Sequence, residues 1–484
     1  MTDTKSEDYR ERLPRVLGPW DAVAVVVGSI IGSGIFLKVD AIATAMGSFI
    51  PILLIWTLGG IASLGGSLAL AELAAMLPHA GGPYVYLSQA YGRLAAFLWG
   101  WAEFAIIRTG SLGSLACATV IYLNNMLEGL KERGLVPDAF ADYVPLSFGT
   151  QGALTFCAVA ALSTVNMVST RGSALTQSGT TIIKLAFLAF LALGPFVLGQ
   201  ADTNNLQPLA PSNWNVIFMP AAWQAVGLAL VAVYWPYDGW INIGPVAEEI
   251  REPQRNVPLG LFAGMLIVTG VYVAVNIGYC VTLPLSEVQQ TKTIAANVAG
   301  KLLGPWGAVL AAAGVMFSTF GALNSNLLAG PRIYFAMARD RLFPASIGRV
   351  DPRFKTPLNA VFAQGSWALI QVVIAFSVSD NPRKAFDNLT DFVVLGGTIF
   401  YGLTVAAVFV LRYTMPKAER PYRTWGYPFM PIIYLATALV VVVSSLTANQ
   451  LQGLAVAGLL AVGYCVYLLF RRLERGEKRA LPEA

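Results

Sequence analysis

Histidine is almost absent from this 484-residue chain: there is one, His79, in a segment that reads as a solvated surface loop. Cysteine is scarce too. Cys117, Cys157, Cys280 and Cys465 are scattered through apolar runs, at spacings that suit neither a metal cage nor a disulfide framework. They read as small packing residues. No nucleophile–base set and no ligand cluster can be assembled from this inventory, so neither an enzyme nor a metal centre is expected, and no cofactor is implied. Charge is the third shortage. Charged side chains make up 12% of the chain, against about 25% in soluble domains.

Apolar residues fill the space. They account for 56% of the chain, and the mean hydropathy is +0.61. Apolar runs long enough to cross a hydrocarbon core of roughly 30 Å recur along nearly the whole sequence. The expected class is an all-α integral membrane protein of twelve spans: 17–41, 48–77, 94–124, 150–168, 176–199, 219–247, 257–282, 305–338, 357–378, 390–411, 429–447 and 452–470. With the N-terminus in the cytoplasm, the inner segments carry 22 of the 32 Lys and Arg and the outer loops six. That asymmetry places both termini, 1–16 and 471–484, in the cytoplasm. It also assigns the net charge of +5 to topology and anionic lipid rather than nucleic acid.

Two spans are interrupted. The first contains GSIIGSGIFL at 28–37, with Gly28, Gly32 and Gly34 where lipid offers no water to repair a weakened helix. Glycine costs a helix about 1 kcal/mol relative to alanine, and small-xxx-small packing alone would explain Gly28 and Gly32. The sixth span decides between packing and a break: LVAVYWPYDGWINIGPVAEE sets Pro236, Asp238 and Gly239 near its middle. The two interruptions lie five spans apart, an odd number, so a second copy starting at the sixth span must be inverted. Interrupted spans at matching positions of two inverted halves point to a transporter binding site. The predicted organisation is a first repeat at 17–199, a second at 219–411, and two further spans at 429–470.

At this point the sequence resembles the amino acid–polyamine–organocation superfamily, with its LeuT-type fold. It is most similar to the L-type amino acid transporters, which include the light chains of heteromeric transporters and their bacterial relatives. The motifs that carry the likeness are GSIIGSGIF (28–36), AELAAMLPHAGGPYVYL (71–87), NMVSTRGSALTQSGTTIIK (166–184), WPYDGWINI (235–243), EEIREPQRNVP (248–258) and RPYRTWGYP (420–428), in that order. The resemblance implies a sodium-independent carrier of L-amino acids in the plasma membrane, the inner membrane of a bacterium, working by alternating access and as an exchanger. A proton-coupled symporter and a polyamine or amino acid–product antiporter of the same superfamily stay open.

It also implies a site. Ser33, Gly34 and Ile35 would take the substrate carboxylate, and the carbonyls of Ile30, Trp235, Pro236 and Asp238 its ammonium. Ser29, Ile31, Gly32 and Gly239 would line the pocket, and Trp235 would gate it from the outer side. Lys184, buried in the fifth span, would stand where sodium-coupled relatives hold an ion, tied to Gly28 and Ser318; snorkelling is the plainer alternative. Arg108 and Asp238 give conflicting hints on substrate charge, and pairing with each other would favour zwitterions: neutral amino acids first, cationic ones second. Asn276 is the preferred polar pocket residue over Asn324 and Asn326. Glu72 and Glu103 read as structural, Glu248 and Glu249 as part of an inner gate, and Trp99 and Trp101 as interfacial aromatics. The loop 127–146 lacks the cysteine that links eukaryotic light chains to a heavy chain, so no disulfide-linked partner is expected.

Overall fold

The computed structural model describes residues 15, 17–78, 81–168, 171–212, 219–349, 351 and 356–480. His79, most of the N-terminal segment and the last four residues lie outside them. The chain begins with α1 (Pro19–Ile30), α2 (Gly34–Leu37) and α3 (Val39–Met46), and turns back through α4 (Phe49–Met76). After α5 (Pro83–Tyr91) comes one long helix in three parts: α6 (Arg93–Ala102), a π-helical stretch at Glu103–Ile107, and α7 (Arg108–Lys131). A short α8 (Asp138–Ala141) precedes α9 (Phe148–Val168) and α10 (Arg171–Val197). Then α11 (Pro220–Tyr237) stops abruptly, and a 3₁₀ turn, α12 (Ile243–Val246) and a second 3₁₀ turn carry on to Glu249. The rest is α13 (Pro253–Thr282), α14 (Leu285–Gln290), α15 (Ile294–Leu303), α16 (Pro305–Arg339), α17 (Leu358–Ser377), α18 (Pro382–Thr414), α19 (Phe429–Ala448) and α20 (Gln450–Ala480).

Ten helices among the described residues are long and apolar enough to cross a membrane. The fifth and sixth expected spans are not among the ten. The apolar part of α10 is the shorter Ile182–Val197, and α11 ends at its break with Pro236 in the last turn. Several helices outrun their apolar runs, because helix growth depends on backbone bonds and not on apolarity. α18 starts eight residues early, where Asn381 caps Lys384 N and Pro382 takes the first position.

Small residues bring the helices together. A Cβ at Gly65 of α4 would collide with the Met430 carbonyl of α19. α4 packs along α13, and α7 along α16. Among the described residues, one isolated β-bridge joins Leu17, just before α1, to Ile250, just after the second 3₁₀ turn: Leu17 N donates to Glu249 O (3.0 Å) and Arg251 N to Leu17 O (2.8 Å).

Candidate functional site

Both interruptions read from the sequence are real breaks, and they meet. Ile31 turns extended after α1 (φ −71°, ψ 101°), and the helix restarts at Gly34. Asp238 is extended after α11 (φ −68°, ψ 148°), and Gly239 follows at φ 122°, a conformation that favours glycine. A Cβ at Gly34 would lie 2.6 Å from Pro236 Cα, and one at Gly239 2.6 Å from Ser29 O. These two glycines are what allow the broken backbones to touch.

Side chains from other helices take up the exposed carbonyls. Lys184 Nζ donates to Gly28 O (3.1 Å) and Ile31 O (2.8 Å). Ser318 Oγ donates to Gly32 O (3.5 Å). The Tyr272 hydroxyl reaches both Ile30 O (3.3 Å) and Pro236 O (3.0 Å). Tyr279 serves Ile35 O (3.4 Å), and Tyr122 serves Phe36 O (3.2 Å). Lys184 is fully buried and fixed, so it does not snorkel. Among the described residues no hydrogen bond joins it to Ser318; each holds a different carbonyl of the same break. The three tyrosines were missed from sequence. The signal was present on α13, where Tyr272, Asn276 and Tyr279 fall at i, i+4 and i+7 and so share one face.

The breaks border a small cavity of about 30 Å³ lined by Ser29, Ile30, Gly32, Ser33, Gly34, Ser111, Leu115, Trp235, Asp238, Gly239, Asn242, Ala322 and Asn326. Eight expected site residues are on that wall: Ser29, Ile30, Gly32, Ser33, Gly34, Trp235, Asp238 and Gly239. Ile31, Ile35 and Pro236 are buried beside it, and Gly28, Lys184 and Ser318 form the separate group around the first break. Trp235 Nε1 donates to Ser33 Oγ (3.1 Å), and its ring meets Phe386 edge to face at 6.3 Å. At the start of α2 the N–H groups of Gly34 and Ile35 fall in a first turn, where helix geometry supplies no intrahelical acceptor.

Three expectations need correcting. Asn276 is not on the cavity wall: it is buried, and its Nδ2 donates to Tyr272 O (2.8 Å). The asparagines that face the cavity are Asn242 and Asn326. Arg108 does not pair with Asp238. Its guanidinium bonds Glu103 (2.9 Å), Asn326 Oδ1 (2.7 Å) and Asn242 Oδ1 (2.9 Å), behind the wall. The π-helical stretch, bonded i to i+5, brings residues five apart onto one face. Asp238 Oδ1 instead accepts from Gly239 N (2.8 Å). Finally, Trp99 is no interfacial residue. It is buried against Phe400 and Tyr401, while Trp101 Nε1 donates to Leu459 O (2.8 Å).

The amino acid permease family model matches residues 17–470. The chain belongs to the amino acid permease family. This permease is 31% identical to the serine/threonine exchanger SteT of Bacillus subtilis (strain 168), over 91% of its own length and 93% of that protein's. It is 28% identical to the human b(0,+)-type amino acid transporter 1, over 85% of its length and 79% of the relative's. It is also 28% identical to the cystine/glutamate transporter of Pongo abelii, over 93% and 83%. The likeness spans nearly the whole permease, so it is a multi-pass membrane protein of the amino acid–polyamine–organocation superfamily and an L-type homologue.

Charged clusters brace the permease away from the cavity. Lys38, just after α2, bonds Asp387 (2.8 Å) and Asp391 (3.0 Å) of α18, and Arg383 reaches Asp40 (2.7 Å). Near the other end, Glu249 pairs with Arg332 (3.0 Å), and Glu72 is gripped by Arg412 (2.6 Å), Arg420 (3.3 Å) and Thr424 Oγ1 (2.7 Å). The Glu248 side chain lies outside the described residues. Cys117 and Cys280 are buried packing residues as expected, whereas Cys157 and Cys465 lie on exposed helix faces, which corrects that reading for those two.

Proposed function

We propose that this permease is a sodium-independent secondary transporter of L-amino acids, neutral ones first and cationic ones second, that exchanges substrates by alternating access. The observation that carries this reading is the meeting of two broken helices around one small cavity. A zwitterion matches its polar groups: its carboxylate on the Ser33 hydroxyl and the Gly34 and Ile35 N–H groups, its ammonium on the Ile30, Trp235, Pro236 and Asp238 carbonyls, once the walls part to admit it. Trp235 closes over it. Arg108, already paired with Glu103, offers little to an anionic side chain, and this supports zwitterions. The Lys184 ammonium, seated between the Gly28 and Ile31 carbonyls, takes the place of a bound cation, and this supports sodium independence. Exchange is favoured by the name of the SteT relative.

Within this reading the chain crosses the plasma membrane, a bacterial inner membrane, twelve times as two inverted five-helix repeats plus two helices, with both termini cytoplasmic. It has no enzymatic step, no cofactor and no disulfide-linked partner. The test is uptake of labelled alanine, serine, leucine, arginine and glutamate into proteoliposomes without a sodium gradient, empty or preloaded with unlabelled amino acid. Uptake confined to preloaded vesicles is expected. Strict sodium dependence, or no amino acid uptake, overturns the proposal.

A further inference from the structure

Arg108 sits behind the cavity wall, and there it orients two amides. A guanidinium has N–H donors and no acceptor. Its bond to Asn242 (2.9 Å) therefore takes the oxygen of that side chain, and the amide NH2 is left on the side away from Arg108. Among the described residues that NH2 donates to no protein group, and Asn242 lines the cavity. Asn326 is held in the same sense: Arg108 takes its Oδ1 (2.7 Å), while its Nδ2 gives one N–H to Ala322 O (3.0 Å) and keeps the other. Ser111, one turn along α7 from Arg108, offers the opposite. Its Oγ spends its proton on Ile107 O (2.7 Å) and keeps its lone pairs. It lines the same cavity. Leu115 and Ala322 complete this end: a Cβ at Gly32 would lie 3.6 Å from the Leu115 side chain and 3.7 Å from that of Ala322.

We infer that this end of the cavity is a subsite for the hydroxyl of a short side chain, so that the permease favours amino acids of the serine and threonine type over apolar ones of equal size. Asn242 and Ser111 determine that specificity, and Arg108 is a positioning residue that acts through Asn242. A hydroxyl is the smallest group that both donates and accepts. Its proton goes to Ser111 Oγ, and its oxygen takes an N–H from Asn242 Nδ2. A methyl group in its place leaves both partners without a bond, which is how a polar site rejects an apolar analogue. Leu115 and Ala322 leave little depth for a longer chain. This names a substrate class for the substrate-site reading above, and rests on it.

The test is exchange of labelled alanine and of labelled leucine in proteoliposomes, with unlabelled serine and 2-aminobutyrate as competitors. The two competitors differ only by a hydroxyl in place of a methyl group. In the wild type serine should compete about tenfold better. Ser111→Ala, which removes only a bond to its own helix, should narrow that preference to about threefold or less, and Asn242→Leu should do the same. Partial misfolding removes sites for both competitors equally and leaves their ratio untouched. In Glu103→Gln combined with Arg108→Gln the Asn242 amide is free to turn, so the preference for serine should narrow there as well, with the ratio of glutamate to leucine uptake unchanged. A wild type that treats serine and 2-aminobutyrate alike, or a preference that survives in either single variant, overturns the hydroxyl subsite. A preference that survives in the double variant overturns the part given to Arg108. Exchange of neither alanine nor leucine by the wild type overturns the substrate-site reading first, and this inference with it.

Discussion

Arg108 and Glu103 are joined at 2.9 Å, five residues apart on one helix, and neither side chain is more than 3% exposed. Removing one partner leaves the other charge buried and alone, which typically costs about 3–5 kcal/mol. Glu103→Ala should therefore lower thermal stability in detergent sharply, and Glu103→Gln combined with Arg108→Gln should recover much of the loss. If Arg108 instead reads substrate charge, Arg108→Gln would shift the ratio of glutamate to leucine uptake; no such shift is expected.

Gly34→Ala and Gly239→Ala drive a methyl group into backbone 2.6 Å away. Gly239 adds strain of about 1–3 kcal/mol from its φ of 122°. Both variants should lose uptake by at least about tenfold at matched expression. By contrast, Gly47→Ala, with open space around its Cβ, should transport normally despite a modest loss of stability. Equal activity of Gly34→Ala and wild type would mean that the two breaks need not touch.

Trp235→Ala should abolish transport while leaving a folded, monodisperse protein. Trp235→Phe keeps a ring against Phe386 but loses the bond to Ser33, so an intermediate rate is expected. Uptake measured alongside size-exclusion profiles decides the matter, and a well-folded alanine variant at wild-type rate sinks the gating role.

Lys184→Met keeps most of the length of the side chain and removes the donor to Gly28 and Ile31. Uptake should fall at least about tenfold, with and without sodium. Wild-type uptake that vanishes when sodium is replaced by choline would contradict the reading of this lysine as a resident cation.

Asp238→Ala should alter side-chain preference, chiefly arginine against leucine, more than it alters recognition of the common carboxylate. A uniform loss across all substrates in the same vesicles would argue against a specificity role.

Both breaks could be read from sequence because glycine, proline and aspartate punctuate an apolar run, and lipid tolerates such punctuation only around a cavity. Lys184 stood out for a related reason, since a charge in an apolar run needs a partner or a route to the surface; that its place is beside Gly28 came from the family resemblance and not from local sequence. The tyrosine ties were not. Tyr122, Tyr272 and Tyr279 are aromatic residues in aromatic-rich helices, and nothing local separates a core ring from one that holds a carbonyl. The Arg108–Glu103 pair was hidden by the assumption of regular α-helix, in which residues five apart point different ways; only the π-helical stretch aligns them. Asn242 and Asn326 were hidden by distance, since they come from helices far apart in the chain. The choice of Asn276 failed because an asparagine one turn from a tyrosine can spend its amide on its own helix.

The bridge between Leu17 and Ile250 couples parts that the sequence keeps far apart. Without it, the lower arms of the two interrupted helices would be separate levers, each swinging about its own hinge. Two backbone bonds rivet them together where they emerge. In the proposed alternating-access cycle, an opening at this end that moves one arm must carry the other or shear the rivet, which leaves the pair a single degree of freedom. A distance label on either arm would report the same swing.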